Sequence, residues 1–298
     1  MLLNQPKDRL IYLSQSRGIG RKILSKMLAE DITLKSFFNR SSVELQQRFN
    51  LSPYVVQEIY DQEKQSKFQK KYHTYAQQDI QIITILDDEY PEVLREIYDP
   101  PFVLYIKGNL DVLQSEKRLS VVGTRDPSEN GLKSLRKIVE PLVVQKWTIV
   151  SGLAYGIDIH AHKLALTSGG KTIAVLGSGF YHIYPAEHAS IASIIGENHL
   201  LLSEYPPDTK PSKWQFPMRN RIISGLSRGT LIIEAREKSG SLITGDQALQ
   251  QGREVFAVPG SIMEPRAGGT NRLIQQGAKL TTSVEDILEE LMNITAYV

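Results

Sequence analysis

Apolar and polar positions follow two different patterns along the chain, and the change falls near residue 80. Before it, apolar side chains recur at helical spacing, as in SRGIGRKILSKMLAE, where Ile23, Met27 and Leu28 follow a Gly-Ile-Gly turn. In LSPYVVQEIYDQ, Ser52 is the predicted N-cap and Pro53 the first helical residue. We therefore predict a small all-helical domain over residues 1–62, followed by an exposed, charged and Gln-rich connecting helix over residues 63–79.

From residue 80 to residue 292, short apolar runs alternate with segments of helix length. Most of these segments lie between the runs, at 129–145, 156–168, 187–196 and 240–251. Continuous Val, Ile and Leu runs separated by helices indicate a parallel sheet covered on both faces. We predict an α/β fold with a Rossmann-like, doubly wound, mostly parallel sheet. Its predicted strands are IQIITIL, PFVLYIKG, LSVVG, WTIVSG, TIAVLG, HLLLSE, TLIIEA and EVFAVPG.

Small or polar residues follow almost every predicted strand, which is where such sheets bind ligands. Glycines at these positions permit a tight turn and let backbone amides approach an anion. Any α/β protein needs some turn glycines, but that need explains one or two such loops better than all of them. The segments are Gly123-Thr124-Arg125, residues 151–156, Gly177-Ser178-Gly179, residues 204–206 and residues 259–261.

Three arginines are candidate anion contacts. Arg125 lies just past a strand end, where a cation faces the crevice; an ion pair with Glu129 is the alternative. Arg219 and Arg221 lie two residues apart on a predicted helix, so their side chains diverge. We therefore expect at least one of these two to serve the fold, bonding carbonyl groups or the loop from Glu204, while the other faces a ligand.

Composition narrows the class of protein. The 298 residues have a formal net charge of +2 and no cysteine, which excludes disulfides, thiolate metal sites and thiol catalysis. The absence of a secretory signal or a spanning-length apolar run predicts a cytoplasmic protein without membrane contact. Residues 205–221 combine two lysines and two arginines with aromatic residues. This segment is either a basic-aromatic binding cluster or a solvated loop.

Several enzyme signatures fail. In GSGFYH, His182 occupies the third glycine position of a dinucleotide fingerprint, and GGKT follows Ala165 where a P-loop needs glycine. His160 and His162 are two apart on a predicted helix and would not converge on a metal. No G-x-S-x-G elbow is present. The sequence therefore favours binding over turnover, and we expect no cofactor.

A series of separated motifs resembles one known family, the DprA/Smf proteins of bacterial natural transformation. The likeness covers roughly residues 80–290. The N-terminal helices resemble that family's sterile-alpha-motif-like (SAM-like) module, and RGIGRK is similar to a helix-hairpin-helix turn. The motifs are, in order, SVVGTR, IVSGLAYGIDIHAH, GGKTIAVLGSG, FPMRNRIISGLS, EAREKSGSLIT, GREVFAVPGS and GTNRLIQQGAKL.

The resemblance implies an extended Rossmann domain that binds and protects single-stranded DNA, passes it to the recombinase RecA, forms a homodimer and catalyses no reaction. It places the dimer contact at Ile274 and Leu280. Residues 293–298 would be a tail, without the winged-helix domain of many relatives. The DNA-binding residues it implies, with the strand-end and basic residues beside them, are Gly123, Thr124, Arg125, Gly152, Tyr155, Gly177, Ser178, Gly179, Lys213, Arg219, Asn220, Arg221 and Lys238.

Some positions leave alternatives open. Residues 186–188 are Ala-Glu-His where many relatives are lysine-rich, so part of the usual basic surface is missing. Tyr155, Tyr181 and Trp214 are candidate platforms for base stacking, although Trp214 is equally a candidate core anchor. Rival functions are a Rossmann-like nucleotide phosphoribohydrolase and a nucleotide-sensing protein. The hydrolase's hallmark loop is split in PGSIMEPRAGGTNRLI, and no glutamate follows Thr270 directly.

Overall fold

The computed structural model describes residues 3–293. The chain divides into two compact units, Met1–Tyr90 with Pro101–Tyr105, and Pro91–Pro100 with Ile106–Val298. The predicted C-terminal tail lies, from residue 294 onward, outside the described residues. Within the described range, no helix is both long enough and apolar enough to cross a bilayer.

The first unit, which we call the helical unit, contains six helices, in agreement with the helical N-terminal region that the sequence predicted. Ser52 caps the fifth helix by accepting a hydrogen bond from the Val55 amide at 3.3 Å, and Pro53 is its first residue. Asp61 caps the sixth in the same way. The helices are α1 (Pro6–Gln15), α2 (Arg21–Glu30), α3 (Lys35–Asn39), α4 (Ser42–Phe49), α5 (Pro53–Tyr60) and α6 (Gln62–Gln77), with strand β1 at Ile80–Thr84.

Apolar side chains on one face of each helix form the core of the helical unit. On α2 these are Leu24 and Met27, both 2% exposed. Arg9 is buried with them, and its guanidinium donates to the carbonyl oxygens of Thr33 and Leu3, each at 2.7 Å. A buried arginine that satisfies carbonyl groups fixes the chain around it.

The sheet contains all eight predicted strands and one that the sequence did not reveal. Its order is β1-β2-β6-β5-β4-β3-β7-β8-β9, and every pair from β6 to β9 is parallel. The unpredicted strand is β9, only two residues long. The bounds are β2 (Val103–Gly108), β3 (Arg118–Gly123), β4 (Thr148–Ser151), β5 (Thr172–Leu176), β6 (Leu200–Ser203), β7 (Gly229–Ile233), β8 (Glu254–Ala257) and β9 (Lys279–Leu280).

Helices cover both faces of the parallel strands. Leu231 and Ile233 of β7 pack in one apolar cluster with Leu135 and Ile138, whereas Ile232 between them reaches Gly245 on the other face. This alternation is the period of a strand buried on both sides. The helices of this second unit are α7 (Glu92–Arg95), α8 (Glu129–Val144), α9 (Ile157–Thr167), α10 (Ala189–Asn198), α11 (Gln215–Gly225), α12 (Gly240–Gln250), α13 (Gly268–Gln275) and α14 (Glu285–Asn293).

The strand order places a ligand site. After β3, the chain adds β4, β5 and β6 on one side, and then returns to add β7, β8 and β9 on the other side of β3. This is a doubly wound order with one strand more in its first half than the Rossmann order, which confirms the predicted fold class. The order reverses between β3 and β7, and the crevice beyond their carboxyl ends is where such sheets bind ligands.

Candidate functional site

An open cleft of about 640 Å³ lies beyond the carboxyl ends of β3 and β7. Five cationic side chains and one carboxylate line it. The segment after β3 contributes Gly123, Thr124 and Arg125, while Lys213 precedes α11 and Arg219 and Asn220 lie on it. The segment between β7 and α12 contributes Arg236 and Lys238. The cleft thus brings together seven of the residues that the sequence singled out.

Four of the five cations are exposed and unpaired. Arg125, Lys213, Arg236 and Lys238 form no hydrogen bond or ion pair through their side chains within residues 3–293. The ion pair between Arg125 and Glu129, left open by the sequence, is not formed. Like charges that converge on a cleft without counter-charges attract an anion.

The fifth cation, Arg219, is buried in the floor of the cleft. Its Nη1 donates to the carbonyl oxygen of Gly152 at 2.6 Å and also to that of Val175. A Cβ atom at position 152 would lie 2.6 Å from the guanidinium, so any side chain there would displace Arg219 from these carbonyl groups. Arg219 therefore both bonds carbonyl groups and contributes its positive charge to the cleft.

Among the described residues, Asp158 is the one carboxylate that lines the cleft, and it is 6% exposed. Its Oδ2 accepts a hydrogen bond from the Gly152 amide at 3.1 Å. Burial raises the pKa of Asp158, and the positive charge of Arg219 opposes that rise. In turn, burial lowers the pKa of Arg219 to about 10, and Asp158 opposes that change. Each buried charge thus stabilises the ionised form of the other.

Arg221 lies outside the cleft and serves the fold. It is 5% exposed, and its Nη2 forms an ion pair with Glu204 at 2.7 Å. Its Nε lies 3.4 Å from Asp99, and its Nη1 donates to the Met218 carbonyl oxygen at 2.9 Å. Burial alone would lower the pKa of Arg221, but the two carboxylates raise it above its usual value.

The turn after β5 is also outside the cleft. A Cβ at Gly177 would lie 2.7 Å from the Phe216 ring, and one at Gly179 would lie 2.1 Å from the Pro206 carbonyl oxygen. The Ser178 hydroxyl donates to the carbonyl oxygen of His182 at 2.7 Å. These three residues meet other protein groups and are not among those lining the cleft.

Aromatic side chains lie exposed around the cleft. Tyr155 is 40% exposed and Trp214 is 62% exposed, which excludes the reading of Trp214 as a core anchor. The Tyr155 hydroxyl donates to Glu187 at 2.8 Å, so the acidic residue in place of the expected lysines holds one aromatic ring. Tyr184 lines the cleft, with its ring centroid 5.4 Å from that of Phe216. Tyr181, 47% exposed, follows the β5 turn.

The carboxylate at the end of β7 is removed from the cleft by a local turn. Glu234 has a left-handed backbone with φ 53°, and its carboxylate accepts hydrogen bonds from Ser128, from the amide at 2.8 Å and from the hydroxyl. Ser128 is the N-cap of α8. The negative charge of Glu234 therefore stabilises a helix N-terminus and does not oppose the four free cations.

Sequence reasoning missed part of the cleft. Arg236, Ser239, Ser241 and Thr244 all line it, and Ser239 caps α12 by accepting from the Ser241 amide at 3.3 Å. The available signal was the run of charged and hydroxyl residues directly after TLIIEA, from which only Lys238 was selected.

The two predicted dimer residues have different surroundings. Leu280 lies on β9 and is 47% exposed, which excludes a core position. Ile274 lies near the end of α13 and is partly buried. The two residues thus lie on a helix end and on a strand, the arrangement that one shared apolar patch would require.

Residues 81–292 match the family model described as DNA recombination-mediator protein A. The chain belongs to this family. This confirms the resemblance to the DprA/Smf proteins noted from the sequence motifs.

Individual DprA proteins agree with the match. The chain is 52% identical over 217 residues to the DNA processing protein DprA of Bacillus subtilis, which is 73% of each chain. The X-ray structure of DprA from Streptococcus pneumoniae superimposes with a TM-score of 0.82 at 40% identity, covering 95% of this chain and 97% of that one. A DprA structure from Helicobacter pylori, reported for its single-stranded DNA binding mode, gives a TM-score of 0.64 at 29% identity, covering 72% and 96%.

Proposed function

We propose that the cleft binds single-stranded DNA and that the protein protects this DNA and loads RecA onto it during recombination in natural transformation. The observation that supports the proposal is the set of four exposed cations, Arg125, Lys213, Arg236 and Lys238, that converge on the cleft without counter-charges. The single-stranded DNA binding reported for the Helicobacter pylori relative supports the choice of ligand.

Phosphates would lie between the two cationic sides of the cleft. Arg125 contributes from the β3 side, Arg236 and Lys238 from the β7 side, and Lys213 from the segment before α11. Because each neutralised phosphate releases counterions, affinity for a single strand should fall with the logarithm of salt concentration, by a slope of about 0.7 per contact. The buried charge of Arg219 adds to the potential without contacting solvent.

The exposed rings favour unpaired over paired bases. Tyr155 and Trp214 present aromatic surface that a splayed base can cover, and stacking contributes about 1–3 kcal/mol per base. Bases in a duplex are already stacked and cannot reach these rings. We propose weak sequence preference, because Asn220, the amide side chain of the cleft, already accepts a hydrogen bond from Arg219 Nε at 3.1 Å, and the cations would neutralise phosphates whatever the base.

We propose that the cleft has no catalytic step. Hydrolysis of a nucleotide needs a carboxylate or an imidazole within reach of the ligand. The lining carboxylate, Asp158, is 6% exposed and accepts a hydrogen bond from the Gly152 amide. Incubation with nucleoside monophosphates tests this directly, since release of free base would favour the phosphoribohydrolase reading.

We further propose that the protein acts in the cytoplasm as a homodimer joined through Leu280 and Ile274. Two linked clefts would engage one strand together, which raises affinity through effective concentration. Leu280→Arg places a charge at this exposed apolar position and should give a folded monomer with weaker binding to long oligonucleotides. Light scattering that still shows a dimer would place the interface elsewhere.

Gel shifts that compare an oligo-dT with a duplex of equal length at near-physiological salt test the proposal as a whole. We expect the single strand to bind more tightly. RecA filament formation on strands coated with a single-strand-binding protein then tests loading, with the Arg125→Ala variant as the comparison. Equal affinity for both DNAs would contradict the proposed preference for single strands. RecA assembly that proceeds no faster with the protein than without it would contradict loading.

A further inference from the structure

A second cationic groove, of about 320 Å³, lies within the helical unit between the end of α1 and one face of α6. Four cationic side chains and a single carboxylate line it. Arg17 contributes from the turn after α1, while Lys64, Lys67 and Lys71 contribute from α6, opposite Glu58. Neither the family match, which begins at residue 81, nor the proposed DNA cleft includes this groove.

The three lysines form a row. Residues 64, 67 and 71 are spaced by three and four positions, so their side chains share one face of α6 at intervals of about 5–6 Å. The row extends about 10 Å along the helix axis at about 1.5 Å per residue. A charged helix face is usually only solvated. Here, however, Arg17 faces the same groove from a different element, which makes the site concave.

Two of these cations, Arg17 and Lys67, are available to a ligand. Arg17 is exposed and its side chain forms no hydrogen bond or ion pair within the described part of the chain. Lys67 pairs with Glu63 at 2.6 Å, but both side chains are more than 70% exposed, at 71% and 74%. Such a pair contributes at most about 0.5 kcal/mol, so a phosphate can replace it. The Lys64 pair with Glu58 is less exposed and fixes one side of the groove.

The aromatic residues of the groove are occupied by each other. The ring centroid of Phe68 lies 5.2 Å from that of Tyr12 and 6.3 Å from that of Tyr72. The Tyr12 hydroxyl donates to the Ile59 carbonyl oxygen at 2.9 Å. Tyr12 is buried and Phe68 is only partly exposed, so among the described residues the groove has no exposed ring comparable to Tyr155 or Trp214 beside the cleft.

We propose that this groove is a second nucleic-acid site that binds the phosphodiester backbone through Arg17 and Lys67, with Lys64 and Lys71 adding to its positive potential, without distinguishing single strands from duplex. A row of charges on a concave surface fits a regular polyanion better than it fits a single small anion. The low exposure of its rings distinguishes this groove from the cleft, where the exposed rings Tyr155 and Trp214 favour unpaired bases. It also predicts that a duplex, which the cleft disfavours, is retained through the helical unit.

The test compares two double variants of the full chain. Arg17→Gln with Lys67→Gln removes two charges from the groove. Lys35→Gln with Lys70→Gln removes two exposed charges from the same unit, one of them on α6, but outside the groove. The salt dependence of binding is measured for an oligo-dT and for a duplex, both with the cleft intact and in an Arg125→Ala background.

We expect the groove variant to lower the salt slope by about 1.4 for the single strand and about 1.8 for the duplex, while the control variant leaves both slopes unchanged. Equal slopes in the groove and control variants would overturn the proposal and leave the groove to an acidic protein segment. A single-strand effect without a duplex effect would overturn the claim that the groove does not discriminate. The cleft is tested separately, because only the Arg125→Ala comparison reports on it.

Hydrogen exchange of the unmodified protein provides a second measurement that does not depend on a variant folding. Bound duplex should protect backbone amides around residues 15–20 and 64–71. Protection confined to the segments that line the cleft would contradict the second site even if the variants were uninformative.

Discussion

The turns after β3 and after β5 look alike in sequence but differ in what surrounds them. Gly123-Thr124-Arg125 opens onto the cleft, and its arginine is exposed and unpaired. Gly177-Ser178-Gly179 lies against Phe216 and the carbonyl groups of Pro206 and Pro207. A glycine at a strand end can therefore serve a ligand or the packing of a distant segment. Which one it serves depends on residues far away in the chain.

The same contrast separates the buried polar residues, which we call the packed side, from the polar residues of the open cleft. On the packed side, Arg221 and His162 are bonded to protein groups, so replacing them should change stability first. In the open cleft, Arg125 has no partner among residues 3–293, so replacing it should change affinity alone. Measuring folding stability and DNA affinity for each variant tests this division.

We expect the largest effect from Arg221→Met. The substitution removes a buried cation and leaves Glu204, whose side chain is 16% exposed, without its partner. Breaking a buried pair in this way should lower the free energy of unfolding by about 3–5 kcal/mol in urea denaturation. The control, Arg228→Met, breaks a pair with the 86% exposed Glu116 and should cost less than about 1 kcal/mol. Similar losses in the two variants would show that the Arg221 cluster is effectively solvated.

Gly179→Ala should have the next largest effect. The new Cβ would lie 2.1 Å and 2.3 Å from the carbonyl oxygens of Pro206 and Pro207, which are backbone atoms and cannot rotate away. We expect a loss of about 3 kcal/mol in thermal or urea unfolding. Gly240→Ala is the matched control, since no atom lies within 4 Å of its added Cβ. If both variants unfold alike, the β5 turn is not packed as described.

His162 should make stability depend on pH. It is fully buried with Nδ1 2.7 Å from the Thr172 hydroxyl, and burial lowers its pKa from 6.5 to about 3. Between these two values the unfolded chain binds a proton at this imidazole and the folded protein does not. The free energy of unfolding therefore falls as pH decreases from 6.5 towards 3. At pH 5 the loss from this group should be about 2 kcal/mol. His162→Gln should remove this contribution, so parallel stability curves for the two proteins between pH 7 and pH 5 would contradict it.

Arg125→Ala should have the smallest energetic effect, and on binding alone. We expect about a tenfold loss of affinity for oligo-dT, equivalent to about 1.4 kcal/mol, and a salt slope lower by about 0.7. Unfolding should change by less than about 0.5 kcal/mol, because the side chain is exposed and unpaired. The control Lys171→Ala removes an exposed charge just before β5, at the amino end of that strand and so away from the cleft. It should leave the salt slope unchanged. A loss of folding stability in Arg125→Ala would contradict the prediction that cleft residues affect binding alone.

The sequence predicted most of the fold because apolar runs and helical spacing are local properties. It revealed eight strands, but β9 has only the residues Lys279 and Leu280 and shows no apolar run. The strand order, and with it the position of the cleft, depends on pairing between segments that no local pattern records. The family match covers residues 81–292 and therefore reports on the order of the motifs along most of the sheet, which no single local pattern does.

The site was predictable only where a residue's role depends on its own position. Arg125 and Lys238 lie in the segments that follow β3 and β7, and both line the cleft. Arg219 and Arg221 differ only by their partners, the Gly152 carbonyl group for one and Glu204 for the other. The helical argument that their side chains diverge was correct, but the partners lie 67 and 17 residues away and could not be read from the helix itself.

The brevity of β9 limits how this molecule can associate. With two residues at the margin of the parallel strands, it offers almost no backbone ladder onto which a further strand could be added. A contact at this edge therefore depends on side chains such as the exposed Leu280 and not on backbone pairing. In the proposed DNA-bound state, where several copies would gather along one strand, a short β9 disfavours the growth of fibres by strand addition at this edge.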